Sequence, residues 1–95
     1  MNKKKLRYAI LKEIDSGNKK LTEEDFGVSE DEFDEAINFL KREGYIGGIG
    51  YGDDRPMLYE GTAYVTEKGE DYLSENSGLA KTYRGLKEIR DWLRL

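Results

Sequence analysis

Histidine and cysteine are both absent from this chain. Without cysteine there is no disulfide framework, no thiolate zinc site and no sulfur nucleophile. Without histidine there is no imidazole to serve as general base, proton shuttle or metal ligand. No apolar run exceeds four residues, far short of the ~20 that a membrane span requires. The start Met1-Asn2-Lys3-Lys4-Lys5-Leu6 is basic, but neither an apolar stretch nor a small-residue cleavage site follows it. These absences predict a cytoplasmic protein with no signal peptide and no membrane association. Internal repeats and low-complexity tracts are also missing.

What is present is charge, distributed unevenly. Residues 1–20 carry seven basic and two acidic side chains, residues 21–40 carry eight acidic and none basic, and residues 81–95 carry five basic and two acidic. The chain is basic at both ends and acidic in the middle, with a net charge of −4. The apolar residues are few but periodic, which predicts a globular fold. Its 95 residues fit one domain with a thin core, burying about 60–65% of the unfolded surface.

The periodicity places the elements. Leu6, Ile10 and Ile14, with Ala9 beside them, mark a helix over 3–16 that stops at Asp15-Ser16-Gly17-Asn18. Thr22 heads one short helical turn, 22–26, whose acids suit its dipole. Leu21, Phe26 and Val28 are expected to bury against the first helix. Ser29 and Glu32 form a capping box for a helix that runs to Glu43 and stops at Gly44. Phe33, Ala36, Ile37 and Leu40 share one face of it, with Phe39 at the edge. Residues 45–51 read as a strand, Gly52-Asp53-Asp54-Arg55-Pro56 as a turn, and 57–59 and 62–65 as further short strands. Thr66 caps a helix over 67–75 with Tyr72 and Leu73 inward. Asn76-Ser77-Gly78 breaks the chain before a final helix over 79–95. The order predicts an α+β fold, a winged helix-turn-helix with a small antiparallel hairpin and additional C-terminal helices. It forms a single domain over 1–95. The helix-turn-helix core covers about 3–44, the wing about 45–65 and the C-terminal helices about 66–95.

Two stretches are similar to winged-helix proteins in general. One is Val28-Ser29-Glu30-Asp31-Glu32-Phe33-Asp34-Glu35-Ala36-Ile37-Asn38-Phe39-Leu40-Lys41-Arg42-Glu43-Gly44-Tyr45-Ile46, a recognition helix leading into a wing strand. The other is Val65-Thr66-Glu67-Lys68-Gly69-Glu70-Asp71-Tyr72-Leu73, a Thr-x-Lys-Gly turn into the next helix. Over its full length the chain resembles the YjcQ family, small winged-helix-like proteins of Firmicutes and their phages. Lys5-Leu6-Arg7-Tyr8-Ala9-Ile10-Leu11-Lys12-Glu13-Ile14 fits that family's first helix. The resemblance implies the fold and a phage connection, and assigns no site residue.

Candidate sites follow from the faces that remain. On the recognition-helix candidate, Asp31, Asp34, Glu35, Asn38, Lys41 and Arg42 point outward by the 100° step. The N-terminal half of such a helix contacts base edges in DNA readers. Here that half is acidic and would meet phosphates with carboxylates. The ordinary reading is a capped, solvated helix. The sharper one is a protein-docking face made by Asp31, Asp34, Glu35 and Asn38. The alternative is a DNA-binding regulator, with Lys41, Arg42, Arg55, Lys3, Lys4 and Lys5 on phosphates and Asn38 reading a base.

Tyr45, Tyr51, Tyr59 and Tyr64 sit among wing glycines, either packed on the sheet or open to stack on a partner. Lys3, Lys4, Lys5, Arg7, Lys19 and Lys20 form one basic group. Lys81, Arg84, Lys87 and Arg94 form a second on one arc of the last helix. Either is a solvated face in the ordinary reading. Leu79, Tyr83, Leu86, Ile89 and Leu93 make that helix's apolar stripe, which packs internally or pairs two copies into a homodimer. Trp92 lies off the stripe, as a partner contact or a core edge.

Catalytic motifs are lacking. Gly48-Ile49-Gly50-Tyr51-Gly52 is not a phosphate-binding G-x-G-x-x-G, and Asp53-Asp54 lacks the spaced oxygens of a calcium loop. The expectation is a non-catalytic interaction module without cofactor or metal, monomer or homodimer, in a regulatory or phage-derived context.

Overall fold

A computed structural model describes residues 2–58 and 61–94 of the chain. The protein is α+β; the described residues form six α-helices and two short antiparallel strand pairs. Helix α1 spans Lys3–Asp15. Asn2 opens it, its side-chain oxygen accepting the Lys5 backbone N–H at 3.1 Å. The expected Leu6, Ala9, Ile10 and Ile14 are buried, and so are Tyr8 and Leu11. With apolar residues on more than one side, α1 becomes the central helix against which the others pack.

Helix α2 spans Glu23–Phe26 and α3 spans Glu30–Arg42. The capping box at α3 forms: Ser29 Oγ accepts the Glu32 N–H at 3.1 Å, and the Ser29 N–H donates to Glu32 Oε1 at 2.9 Å. Phe33, Ala36, Ile37 and Leu40 are buried against α1.

The region expected to form the wing, residues 45–65, differs from a simple hairpin. Strand β1 (Ile46–Gly47) pairs with β4 (Tyr64–Val65), and β2 (Gly50–Gly52) pairs with β3 (Arg55–Met57). The expected strand over 45–51 is therefore split, and Gly48 (φ +73°) turns the chain where it breaks. The expected turn over 52–56 shrinks to Asp53-Asp54, both in the left-handed region (φ +53° and +63°) that a tight two-residue hairpin requires. Pro56 then lies inside β3, opposite Tyr51. In such a hairpin the pair next to the turn exchanges hydrogen bonds and the following pair does not, so a residue without an N–H fits there. The expected strand over 62–65 reduces to β4. The expectation for Tyr59 falls outside the described residues.

Helix α4 spans Glu67–Glu75, capped as expected by Thr66, whose Oγ1 accepts the Gly69 N–H at 3.0 Å. Thr66 also ties this turn to β1: its N–H donates to the Tyr45 carbonyl at 3.0 Å, and its hydroxyl donates to the Gly44 carbonyl at 2.6 Å. That closeness explains the glycine of the Thr-x-Lys-Gly turn, since a Cβ on Gly69 would stand 2.3 Å from the Tyr45 carbonyl oxygen. Alanine is the better helix former by ~1 kcal/mol, yet Gly69→Ala is expected to destabilise the fold by about 1–3 kcal/mol through overpacking. Urea denaturation of the two proteins measures this.

The single helix expected over 79–95 does not form. Helix α5 spans Ser77–Thr82, a 3-10 turn covers Leu86–Glu88, and α6 spans Ile89–Arg94. The break falls at Tyr83, which is extended, and Gly85, at φ +95°. Breaking there turns the Tyr83 ring inward, edge-on to Tyr8 (6.2 Å between centroids) and Trp92 (4.9 Å), while its hydroxyl donates to Glu13. Burial and the Glu13 carboxylate push the Tyr83 phenol up from its ordinary pKa. Lys81, Arg84, Lys87 and Arg94 thus sit on different segments, and the basic arc expected of one helix is dispersed. Ile89, Trp92 and Leu93 complete a core with α1, Leu21, Phe26, Phe33, Ile46, Leu58 and Ala63.

Candidate functional site

The outward face of α3 is occupied from within the molecule. The β2–β3 hairpin lies on it, and Arg55 is the anchor. Its Nε and Nη2 donate to Asp34 Oδ2 and Oδ1 at 2.8 and 2.9 Å, a two-pronged contact of the kind guanidinium makes best with a carboxylate. Its Nη1 lies 3.2 Å from Glu30 Oε1, and its Nη2 donates to Glu23 Oε1 at 3.3 Å. One guanidinium thereby bridges α2, α3 and β3. The Asp34 hydrogen bonds, with the three carboxylates around them, hold Arg55 still more firmly charged than usual. A turn or two along α3, the Tyr51 hydroxyl donates to Asn38 Oδ1 at 3.2 Å and receives a hydrogen bond from Lys41 Nζ at 3.1 Å. The Lys41 ammonium also stands 4.3 Å from the Tyr51 ring centre, within cation–π range.

The opposite flank of α3 is held by α1. The Arg7 guanidinium lies 3.7 Å from the Phe39 ring centre and donates to Glu35. Arg42 approaches the same ring at 5.6 Å, with its Nε 3.9 Å from Glu43. Of the six outward residues, Asp31 alone makes no side-chain hydrogen bond or ion pair among the described residues. Glu32, in the capping box, is held below the usual carboxylate range, chiefly by the Ser29 backbone N–H.

These placements revise several expectations. Arg55 is not a free cation at the wing tip; it is enclosed by acids and 28% exposed. Lys5 is not part of an open basic group, because its ammonium donates to the Trp92 carbonyl at 3.0 Å, closing the end of α6. Trp92 presents no surface to a partner. It is 3% exposed, its indole N–H donates to Thr82 Oγ1 at 2.9 Å, and its ring packs on Tyr8 and Tyr83. Lys3, Lys4, Lys41 and Arg42 remain exposed. Tyr51 and Tyr64 are exposed, whereas Tyr45 packs 4.7 Å from Tyr72.

Sequence reasoning missed the roles of Tyr51, Glu23 and Glu30. A signal existed: Arg55 is the one cation in a long acidic and neutral stretch between Arg42 and Lys68, and a cation placed so has carboxylates within reach on every side.

The geometry defines a class: an α+β protein whose exposed helix face is acidic and is tied to its own hairpin. The chain belongs to the YjcQ family, whose model, "YjcQ protein", matches residues 4–92. It is 62% identical over 94 residues to "Uncharacterized protein YjcQ" of Bacillus subtilis (strain 168), an alignment covering 99% of this chain and all of that protein. The solution NMR structure of the Bacillus subtilis YjcQ protein is similar in fold, with a TM-score of 0.71 at 60% identity. The match covers 84% of this chain and 97% of that one. Among the described residues, no helix is long and apolar enough to cross a membrane.

Proposed function

We propose that this protein is a cytoplasmic winged-helix interaction module that binds a basic surface of another protein through the acidic face of α2 and α3, without catalysis. The observation that carries this reading is the docking of the β2–β3 hairpin on α3 through Arg55 and Tyr51. In winged-helix DNA readers the recognition helix enters the major groove, bases meet its N-terminal half, and phosphates meet lysine and arginine. Here Asp34 and Glu30 of that half, and Asn38 beyond it, are engaged by the hairpin, and the residues of that half left exposed, Glu30 and Asp31, are anionic. A duplex backbone is repelled by such a surface, whereas a cationic protein surface is attracted to it. The order of three helices, strands and further helices supports the winged-helix reading, and the family resemblance supports a phage-derived setting.

The alternative, a DNA-binding regulator, keeps Lys3, Lys4, Lys41 and Arg42 as exposed cations, but Arg55 and Lys5 are spent inside the fold. A photocrosslinking residue placed at Asp31 in cells tests the preferred reading. A discrete protein adduct, whose yield falls as ionic strength rises, is expected. A nuclease-sensitive adduct, or no adduct, overturns it.

A further inference from the structure

An open groove of about 260 Å³ runs between the entry to α2 and strand β3. Leu21, Phe33, Pro56 and Leu58 form its floor, all of them buried. Glu23 and Glu24 stand on one rim, with Arg55 and Met57 on the other. Four consecutive residues of β3 and its exit line the groove. Successive strand residues point to opposite faces, so a lining of this kind places the groove along the strand's edge, where it is elongated. Its volume has room for one apolar side chain of an extended segment, directed to the floor.

The rims carry more negative than positive charge. Arg55 supplies one positive charge against the carboxylates of Glu23, Glu30 and Asp34. Glu24 adds a carboxylate that makes no side-chain hydrogen bond or ion pair among the described residues; its backbone carbonyl accepts from the Gly27 N–H and from Arg90. Pro56 offers no N–H, so a chain lying along this edge gains little from main-chain pairing. Recognition therefore falls to side chains.

We infer that this groove is the docking site for an extended segment of a partner protein that carries an arginine or lysine beside an apolar residue. The apolar side chain covers Phe33 and Leu58, and the cation faces Glu24 and Glu23. The inference rests on the protein-binding reading above and locates it.

Two blocked peptides test it, acetyl-Leu-Arg-Val-Arg-amide and acetyl-Leu-Glu-Val-Glu-amide, titrated into isotope-labelled protein at low salt. The cationic peptide is expected to produce saturable amide shifts at residues 21–24, at Phe33 and at Arg55, Met57 and Leu58, and the acidic peptide none. Glu24→Gln, a change at an exposed position, is expected to weaken the cationic peptide about two- to fivefold, as for a rim ion pair. Shifts confined to the outward face of α3 overturn the groove while leaving the protein-binding reading standing. Equal responses to both peptides, no response to either, or an unaltered affinity in Glu24→Gln also overturn the groove.

Discussion

Trp92→Ala is expected to cost about 3–5 kcal/mol of folding stability, the range for deleting a large buried aromatic. The ring is 3% exposed, stands between Tyr8 and Tyr83, and satisfies its N–H on Thr82. Its loss opens a cavity where α1, α5 and α6 meet, and it loosens the carbonyl that Lys5 caps. Against a total stability on the order of 5–15 kcal/mol for a small domain, the variant should melt far below the parent protein. Urea denaturation followed by circular dichroism gives the number. A tryptophan serving only as a surface contact would change stability by no more than about 0.5 kcal/mol, and such a result would remove Trp92 from the core.

Arg55→Ala is expected to release the hairpin from α3 while the rest of the fold persists. Three carboxylates from α2 and α3 share this one guanidinium. Without it they face one another with no counter-charge, and the ionic attraction that holds the hairpin to α2 and α3 is lost. Contacts between residues 50–57 and α3, seen as nuclear Overhauser effects, should disappear, and the hairpin amides should exchange faster with solvent. Core amides of α1 should be little changed, because Arg55 lies at the periphery. Arg55→Lys keeps the charge but loses the two-pronged geometry on Asp34, so it should retain the hairpin only in part. High salt should lessen the difference between the variants by screening the freed acids. A hairpin still docked in Arg55→Ala would assign its position to Tyr51 and packing alone.

Much of the helical framework was legible in the sequence because capping and periodicity are local properties. Ser29 with Glu32 marked the start of α3, Thr66 marked α4, and the spacing of Leu6, Ile10 and Ile14 marked α1. The end of the chain was misjudged because its apolar spacing suits one long helix equally well. The choice is made by distant contacts of Tyr83 with Glu13, Tyr8 and Trp92, and no local pattern reports those. The same limit applied to Trp92, whose position off the helical stripe ceased to matter once the helix broke at Gly85. At the candidate site, the sequence revealed the acidic character of α3. It did not reveal that the hairpin folds back on that face. That geometry depends on the two-residue turn at Asp53-Asp54, which places Arg55 within reach of Asp34.

The claim that α3 serves a protein and not the major groove is tested most directly by titrating isotope-labelled protein with random duplex DNA at low salt, the condition most permissive for phosphate contacts. The account predicts no saturable amide shifts across residues 30–42 or 46–57. Saturable shifts along those residues, reversed by added salt, would contradict it and make the protein a DNA binder.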